Sequence, residues 1–287
     1  MRVGVQPQLT DRTMPVEDAG RIAAARGFVS FFMCEHTHIP VEGASVSPRG
    51  VMPEWVKRTW DPFIALAYVA ATTSMEIGTA VALPAEHDPI ALAKTIASLD
   101  RMSGGRLVLG VGWGWHREEF EDHNSGVSAR QRVPVLREKL ALMRELWTND
   151  EAEYRGSHVE LPKSWSWPKP AQPGGPPVLI GAPPDQRNYD RIAAWADGWL
   201  PMGPPLFDDG FPKQLEILRS TWTAAGRGGD VDVSVLISPT SADDLSRAMD
   251  RADSLGLRRL LVTFHEDDMG SYEATLDRLA PALAAAR

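Results

Sequence analysis

The chain holds a single cysteine, Cys34, so an intramolecular disulfide cannot form and a cysteine-rich zinc site is excluded. No apolar run approaches the ~18 residues of a membrane span. The opening residues, MRVGVQPQL, lack the charged-then-apolar order of a signal peptide. Lysine is scarce, with six among 30 basic residues, and no basic cluster is interleaved with aromatics. With a net charge of −8, this argues against a nucleic-acid partner. The expectation is a soluble, cytoplasmic protein whose partner is a small molecule, with no nucleic acid and no membrane.

What is present is enough apolar material for a large core, 43% of 287 residues. That length suits two ordinary domains or one α/β barrel. Short β-rich runs fall at 2–6, 28–33, 76–83, 106–111, 177–181, 198–200, 231–237 and 259–264. Stretches with apolar residues three and four apart alternate with them, at 16–26, 63–73, 90–101, 131–147, 185–196, 212–225, 242–255 and 271–286. Strict alternation predicts a parallel sheet with helices outside. Eight repeats of about 36 residues predict one α/β domain over 1–287, a (β/α)8 TIM-type barrel. A doubly wound open sheet is the alternative. Against it, the glycine-rich loop follows the fourth strand, not the first, and lacks the G-x-G-x-x-G spacing. Glycine and proline concentrate at 40–60, 161–177 and 201–212, which read as short insertions at the C-terminal face.

In a barrel, chemistry sits just past the C-terminal ends of the strands. Alternation along the second strand puts Ser30, Phe32, Cys34 and His36 on an inner face, with Val29, Phe31, Met33 and Glu35 on the outer one. His36 would point to the pocket, where it could move a proton near neutral pH, or else cap a loop. His36 and His38 could also pair on a metal with His265, Asp267 and Asp268. Gly78, Ala80 and Ala82 share a face of the third strand, and Val108, Gly110, Gly112 and Gly114 one of the fourth. Side by side they would either leave a slot for a flat ring or allow close packing. Gly181 precedes a helix starting near Asp185, a place for phosphate with Arg187 and Arg191 nearby, or an ordinary capped turn. Trp113, Trp115, Trp165 and Trp167 suggest an aromatic mouth. The pair Glu118/Glu119 reads as a solvated face or a cap.

Three stretches together resemble a known family. They are IGTAVALPAEHDPIALAKTIASLDRMSGGRLVLGVGWGW (77–115), CEHTHIP (34–40) and PPVLIGAP…ADGWLPM (176–202). The chain resembles the luciferase-like monooxygenase superfamily, and within it the F420-dependent oxidoreductases. The resemblance implies a (β/α)8 barrel with a flavin-type ring at its mouth. It implies a non-prolyl cis peptide at Ala80–Val81 behind the ring, beside Thr79. It implies that Gly112, Trp113, Gly114 and Trp115, with Gly181, Ala182 and Pro183, hold the cofactor's phosphate arm, and that Glu35 and His36 are the catalytic residues, with no metal. The implied activity is F420-dependent hydride transfer to or from a small organic substrate. The alternative is an FMN-dependent monooxygenase using O2 and a separate flavin reductase. A non-catalytic cofactor carrier and a metal-dependent barrel hydrolase stand behind these. Relatives are often homodimers. The chain departs from its relatives at Gly181-Ala182-Pro183-Pro184, where two glycines are common, and near Trp115, where the sugar-phosphate dehydrogenase branch commonly has a polar or acidic residue.

Overall fold

Each apolar run forms a strand buried on both faces, and each amphipathic stretch forms a helix that covers it. The structure is a computed structural model describing residues 1–42, 50, 52–202, 206–266 and 268–285. The strands are β1 (Arg2–Pro7), β2 (Ser30–Met33), β3 (Glu76–Ala82), β4 (Leu107–Val111), β5 (Ala152–Arg155), β6 (Glu160–Ser164), β7 (Val178–Ala182), β8 (Gly198–Pro201), β9 (Asp232–Ile237) and β10 (Arg259–Phe264). Eight of them close a parallel barrel in the order β1-β10-β9-β8-β7-β4-β3-β2, while β5 and β6 form a separate antiparallel hairpin. The helices are α1 (Val16–Ala25), α2 (Pro62–Thr72), α3 (Pro89–Ser103), α4 (Arg117–His123), α5 (Arg132–Thr148), α6 (Gln186–Trp195), α7 (Phe211–Ala224), α8 (Ala242–Ser254) and α9 (Met269–Ala285). The predicted barrel is the observed one, with strand and helix limits within a few residues of the sequence pattern. Among the described residues no helix is long and apolar enough to cross a membrane.

Local chemistry sets the ends. Asp61 accepts from the Phe63 and Ile64 N–H groups at 2.9 Å to start α2, with Pro62 in its first turn. Gly104 ends α3 in the left-handed conformation, φ 72°.

Two cores result. The outer one lies between barrel and helices and takes Phe31 and Met33 of β2. The inner one is Phe32, Ala80, Val108, Leu179, Leu200 and Leu261. The alternation expected of β2 is therefore present. That expected of β3 is not. Its register with β4 shifts between Thr79 and Ala82, so Ala80 and Val81 both pack with the inner cluster while Ala82 joins the outer core. The Ala80–Val81 peptide is cis.

The small residues on β3 and β4 do not leave an open slot in the barrel. A Cβ on Gly78 would sit 2.4 Å from the Phe32 ring, and one on Gly110 2.0 Å from the Thr79 carbonyl and 2.6 Å from Leu200. Those glycines admit neighbouring protein atoms, which is the close-packing alternative.

The segment 161–177 also corrects the expectation that it caps the mouth. It connects a helix to the next strand, and such connections return to the N-terminal end of a barrel. It runs down the outside of α3 and α5. Lys169 Nζ donates to the Leu146 carbonyl at 2.8 Å, and Arg101 Nε donates to the Lys169 carbonyl at 3.1 Å. Gln172 Nε2 donates to Asp100 Oδ1 at 2.7 Å and to the carbonyl of Leu107, the first residue of β4, at 2.8 Å. Trp165 and Trp167 are exposed on this helix layer and are not part of the mouth.

Candidate active site

Beyond β2 the chain turns across the C-terminal face and places His36 between two partners. Its Nδ1 lies 2.7 Å from Glu119 Oε2, and the Trp115 indole N–H donates to its Nε2 at 3.3 Å. An ionised carboxylate only accepts and an indole N–H only donates. The pair therefore selects the tautomer with the proton on Nδ1 and the lone pair on Nε2. The two rings meet edge to face, centroids 5.7 Å apart. Thr59 Oγ1 fixes the same turn, accepting from the His36 N–H at 3.3 Å and donating to its carbonyl at 3.1 Å.

Glu119 is fully buried, so its reading as a solvated or capping residue fails. It also accepts from the Thr37 N–H at 2.8 Å. Burial opposes its ionisation. The His36 hydrogen bond and charge, with the backbone N–H groups of Thr37 and His38, outweigh that and hold its carboxyl below the usual range. It sits on α4, a helix the sequence pattern missed. His116 caps that helix, accepting from the Glu119 N–H at 3.3 Å, and Glu118 and Glu119 complement its N-terminal dipole. Phe120, buried beside Glu119, was the only apolar mark of its inner face.

Glu35 is buried and is used to hold the loop after β3. It accepts from the Leu83 N–H at 2.5 Å and from His87 Nε2 at 2.7 Å. Burial alone would lower the His87 pKa, but the bond to Glu35 and its charge raise it. The protonated His87 thus adds stability in full below its unfolded pKa of about 6.5, and that contribution is lost as pH rises through the higher folded value. Urea unfolding of wild type and Glu35→Gln at about pH 6 and about pH 8.5 checks this. The stability gap between the proteins is expected to be wider at the lower pH. A gap independent of pH would sink the assignment.

Lys139 of α5 reaches the same loop, donating to the carbonyls of Ala85 at 2.6 Å and His87 at 2.8 Å. Burial pushes its pKa down to about 8. Glu86 and His87 fall within 83–87, just past the third strand, where position alone marks them; Lys139 had no signal, because its role depends on which elements bury it.

The other expected site residues are placed as follows. Thr79 Oγ1 donates to the Gly110 carbonyl at 2.7 Å. Ala80 lines the inner cluster. Val81 lies between two glycines. A Cβ on Gly112 would be 2.7 Å from its Cγ2, and one on Gly181 2.6 Å from its Cγ1. Gly114 has φ 68° and lies against Glu86, whose Oε1 is 3.1 Å from where a Cβ would stand. Trp113 packs on the outer core under the Arg191 guanidinium, 5.6 Å from the ring centre. The Ala182 carbonyl accepts from Trp199 Nε1 at 2.9 Å, and the Pro183 carbonyl from Asn188 Nδ2 at 3.0 Å. Asp185 caps α6, accepting from the Asn188 N–H at 2.9 Å. Beside His36, Cys34 Sγ donates to Gln8 Oε1 at 3.1 Å, and Gln8 Nε2 donates to Gln6 Oε1 at 2.9 Å.

His36 and His38 face different carboxylates, Glu119 and Asp122, and do not converge. His265 turns its Nδ1 to the Gln8 carbonyl at 3.1 Å. Asp267 lies outside the described residues. Among the described residues no three His, Cys, Asp or Glu side chains are grouped to hold a metal.

The sequence profile of the luciferase-like monooxygenase family matches residues 3–285. An uncharacterized protein of Mycobacterium tuberculosis is 39% identical over 289 residues, covering 99% of each chain. An F420-dependent glucose-6-phosphate dehydrogenase of Amycolatopsis mediterranei is 33% identical over 196 residues, 65% of this chain and 57% of that one. Among solved structures, monooxygenase RslO1 from Streptomyces bottropensis superposes with a TM-score of 0.79 at 17% identity, over 100% of this chain and 99% of its own, which shows a shared fold. Profile and mycobacterial relative both run the length of the barrel that builds this mouth, and the chain belongs to the luciferase-like monooxygenase family.

Proposed function

We propose that this protein is a coenzyme F420-dependent oxidoreductase that transfers hydride to or from a small organic substrate, with His36 moving the accompanying proton. The observation that carries the reading is the setting of His36 just past β2, its Nδ1 on buried Glu119 and its Nε2 accepting only a long bond from the Trp115 indole. Oxidising a substrate hydroxyl requires a base for its proton. Nε2 is that base, and Glu119 stabilises the imidazolium that forms. The Trp115 bond, at 3.3 Å, is long enough to yield Nε2 to a substrate oxygen. In the reverse direction the same nitrogen returns the proton.

The residues present fit a flat cofactor with an anionic arm. Val81, seated between Gly112 and Gly181, offers an apolar backing at the junction of β3, β4 and β7. Gly114, at φ 68°, turns the backbone after β4, and Arg191 supplies positive charge between the loops after β4 and β7. Pro183 has no N–H to offer, so the grip on a phosphate would fall on other backbone groups and Arg191. F420, when bound, supplies a carbon hydride acceptor in place of flavin N5 and reacts poorly with O2. The protein orients it and excludes water.

The choice of F420 draws support from the relatives named F420-dependent glucose-6-phosphate dehydrogenases. FMN is the competing occupant, with O2 and a separate flavin reductase as its requirements. Titration of the apo-protein with F420 and with FMN, followed by fluorescence, separates them. Saturable binding of F420 with weak FMN binding is expected. Tight FMN binding without an F420 response would overturn the choice.

A further inference from the structure

Behind His36 lies a third carboxyl group that the mechanism does not use. Glu86 closes the 3-10 turn Pro84–Glu86 and is 3% exposed. Neither of its carboxyl oxygens is met by a hydrogen-bond donor among the described residues. Its neighbours are not so placed. Glu35 is satisfied by Leu83 and His87, and Glu119 by Thr37 and His36. Glu86 Oε1 is directed at Gly114, where a Cβ would come within 3.1 Å. The turn is held in place by Asn124 Nδ2 and Lys139 Nζ, both donating to the Ala85 carbonyl, at 2.9 and 2.6 Å.

An ionised carboxylate without donors in such a place would carry the full cost of an unpaired buried charge. The charged groups facing it are Glu119 from α4, Glu35 from the end of β2 and Lys139 from α5, and His87 is next to it in the chain. Two of these are anions. A neutral acid, by contrast, has one proton to give, and Glu119 is the acceptor in its surroundings.

We propose that Glu86 is a positioning residue, a carboxylic acid kept protonated so that it donates to Glu119 and thereby limits how tightly Glu119 holds a proton on His36. The proposal rests on the reading of His36 as the acid–base group. Burial first, then the charges of Glu119 and Glu35, push the Glu86 pKa up to about 10, in keeping with a neutral side chain at working pH. A hydrogen bond into Glu119 disperses its charge. Without it, the His36 imidazolium would be held more strongly.

Two measurements on the apo-protein test this, and neither needs cofactor or substrate. The first is infrared spectroscopy at neutral pH. A C=O stretch of a buried, protonated carboxyl group is expected in wild type and should vanish in Glu86→Gln. The second is the midpoint of the His36 titration, followed by ring-proton NMR and assigned with His36→Ala. It is expected to move up by about half a pH unit or more in Glu86→Met and to stay near wild type in Glu86→Gln, whose amide still donates. A purely structural Glu86 predicts the opposite, since a methionine would fill the site without an unpaired polar group. No band lost in Glu86→Gln overturns the proposal, as does a His36 midpoint unmoved by Glu86→Met. If Glu86→Met does not fold, a midpoint that falls by a unit or more in Glu86→Gln overturns it, because only an ionised Glu86 would produce that fall. These outcomes hold whichever cofactor the mouth accepts.

Discussion

His36→Ala is expected to lower kcat by a factor of about 10² to 10⁴ while leaving cofactor affinity within a few-fold of wild type, the range expected when a positioned proton-transfer group is removed. The loss should fall on turnover because Nε2 is the nitrogen proposed to move the substrate proton. The bonds to Glu119 and Trp115 orient the ring, while Thr59 holds the backbone N–H and carbonyl, a contact that the alanine keeps. His36→Asn serves as a second variant that keeps a polar side chain at the turn but cannot move a proton near neutral pH. Both should lose the limb of the pH–rate profile that reports the base in wild type. Steady-state kinetics with the cofactor identified by titration, beside direct cofactor binding, reads the result. Full turnover by His36→Ala would end the acid–base assignment and leave the ring as packing for Trp115.

The second large effect lies at the opposite end of the barrel. Arg259, the first residue of β10, is 1% exposed and is bound by three side chains. Its guanidinium donates to Glu76 at 2.9 and 3.2 Å, to both Asp232 oxygens at 2.9 Å and to Ser234 Oγ at 2.7 Å. It also lies 6.0 Å from the centre of the Phe32 ring, so it forms the floor of the inner core. Arg259→Met leaves two partly buried carboxylates, Glu76 and Asp232, without their shared buried cation. Breaking such a group costs about 3–5 kcal/mol. Arg2 still reaches Glu76 at 2.8 Å and Arg258 approaches Asp232 at 3.5 Å, and both are largely exposed, which favours the lower end of that range. The drop in unfolding free energy from urea denaturation tests it, and cofactor affinity should be unchanged because the mouth is at the far end. A loss under about 1 kcal/mol would class the cluster with surface ion pairs.

The fold was legible because it rests on two periodicities, two residues in the strands and near 3.6 in the helices, and both persist along the chain. His36 was legible because it lies just past a strand end on its inner face. The acids that surround it were not. Glu119 belongs to HREEFEDH, a run whose composition is that of a solvated surface, and only the packing of α4 against the turn Pro84–Glu86 buries it. Lys139 escapes for the same reason, and Glu86 was marked only by its place past the third strand, since burial is a property of the assembled loops. The inward face of β3 was misread because alternation presumes an unbroken register, which shifts between Thr79 and Ala82. Segment 161–177 was recognisable as a loop by its glycines and prolines. Its placement followed from the connection it makes, from helix to strand, and composition says nothing about that.

The seat of Val81 between Gly112 and Gly181 ties three distant stretches of sequence into one shared volume. None of the three can drift alone. A methyl group gained at 112 or 181 displaces the valine, and a smaller residue at 81 leaves a void under whatever rests on it. A substitution at any one of the three positions is therefore felt at the other two.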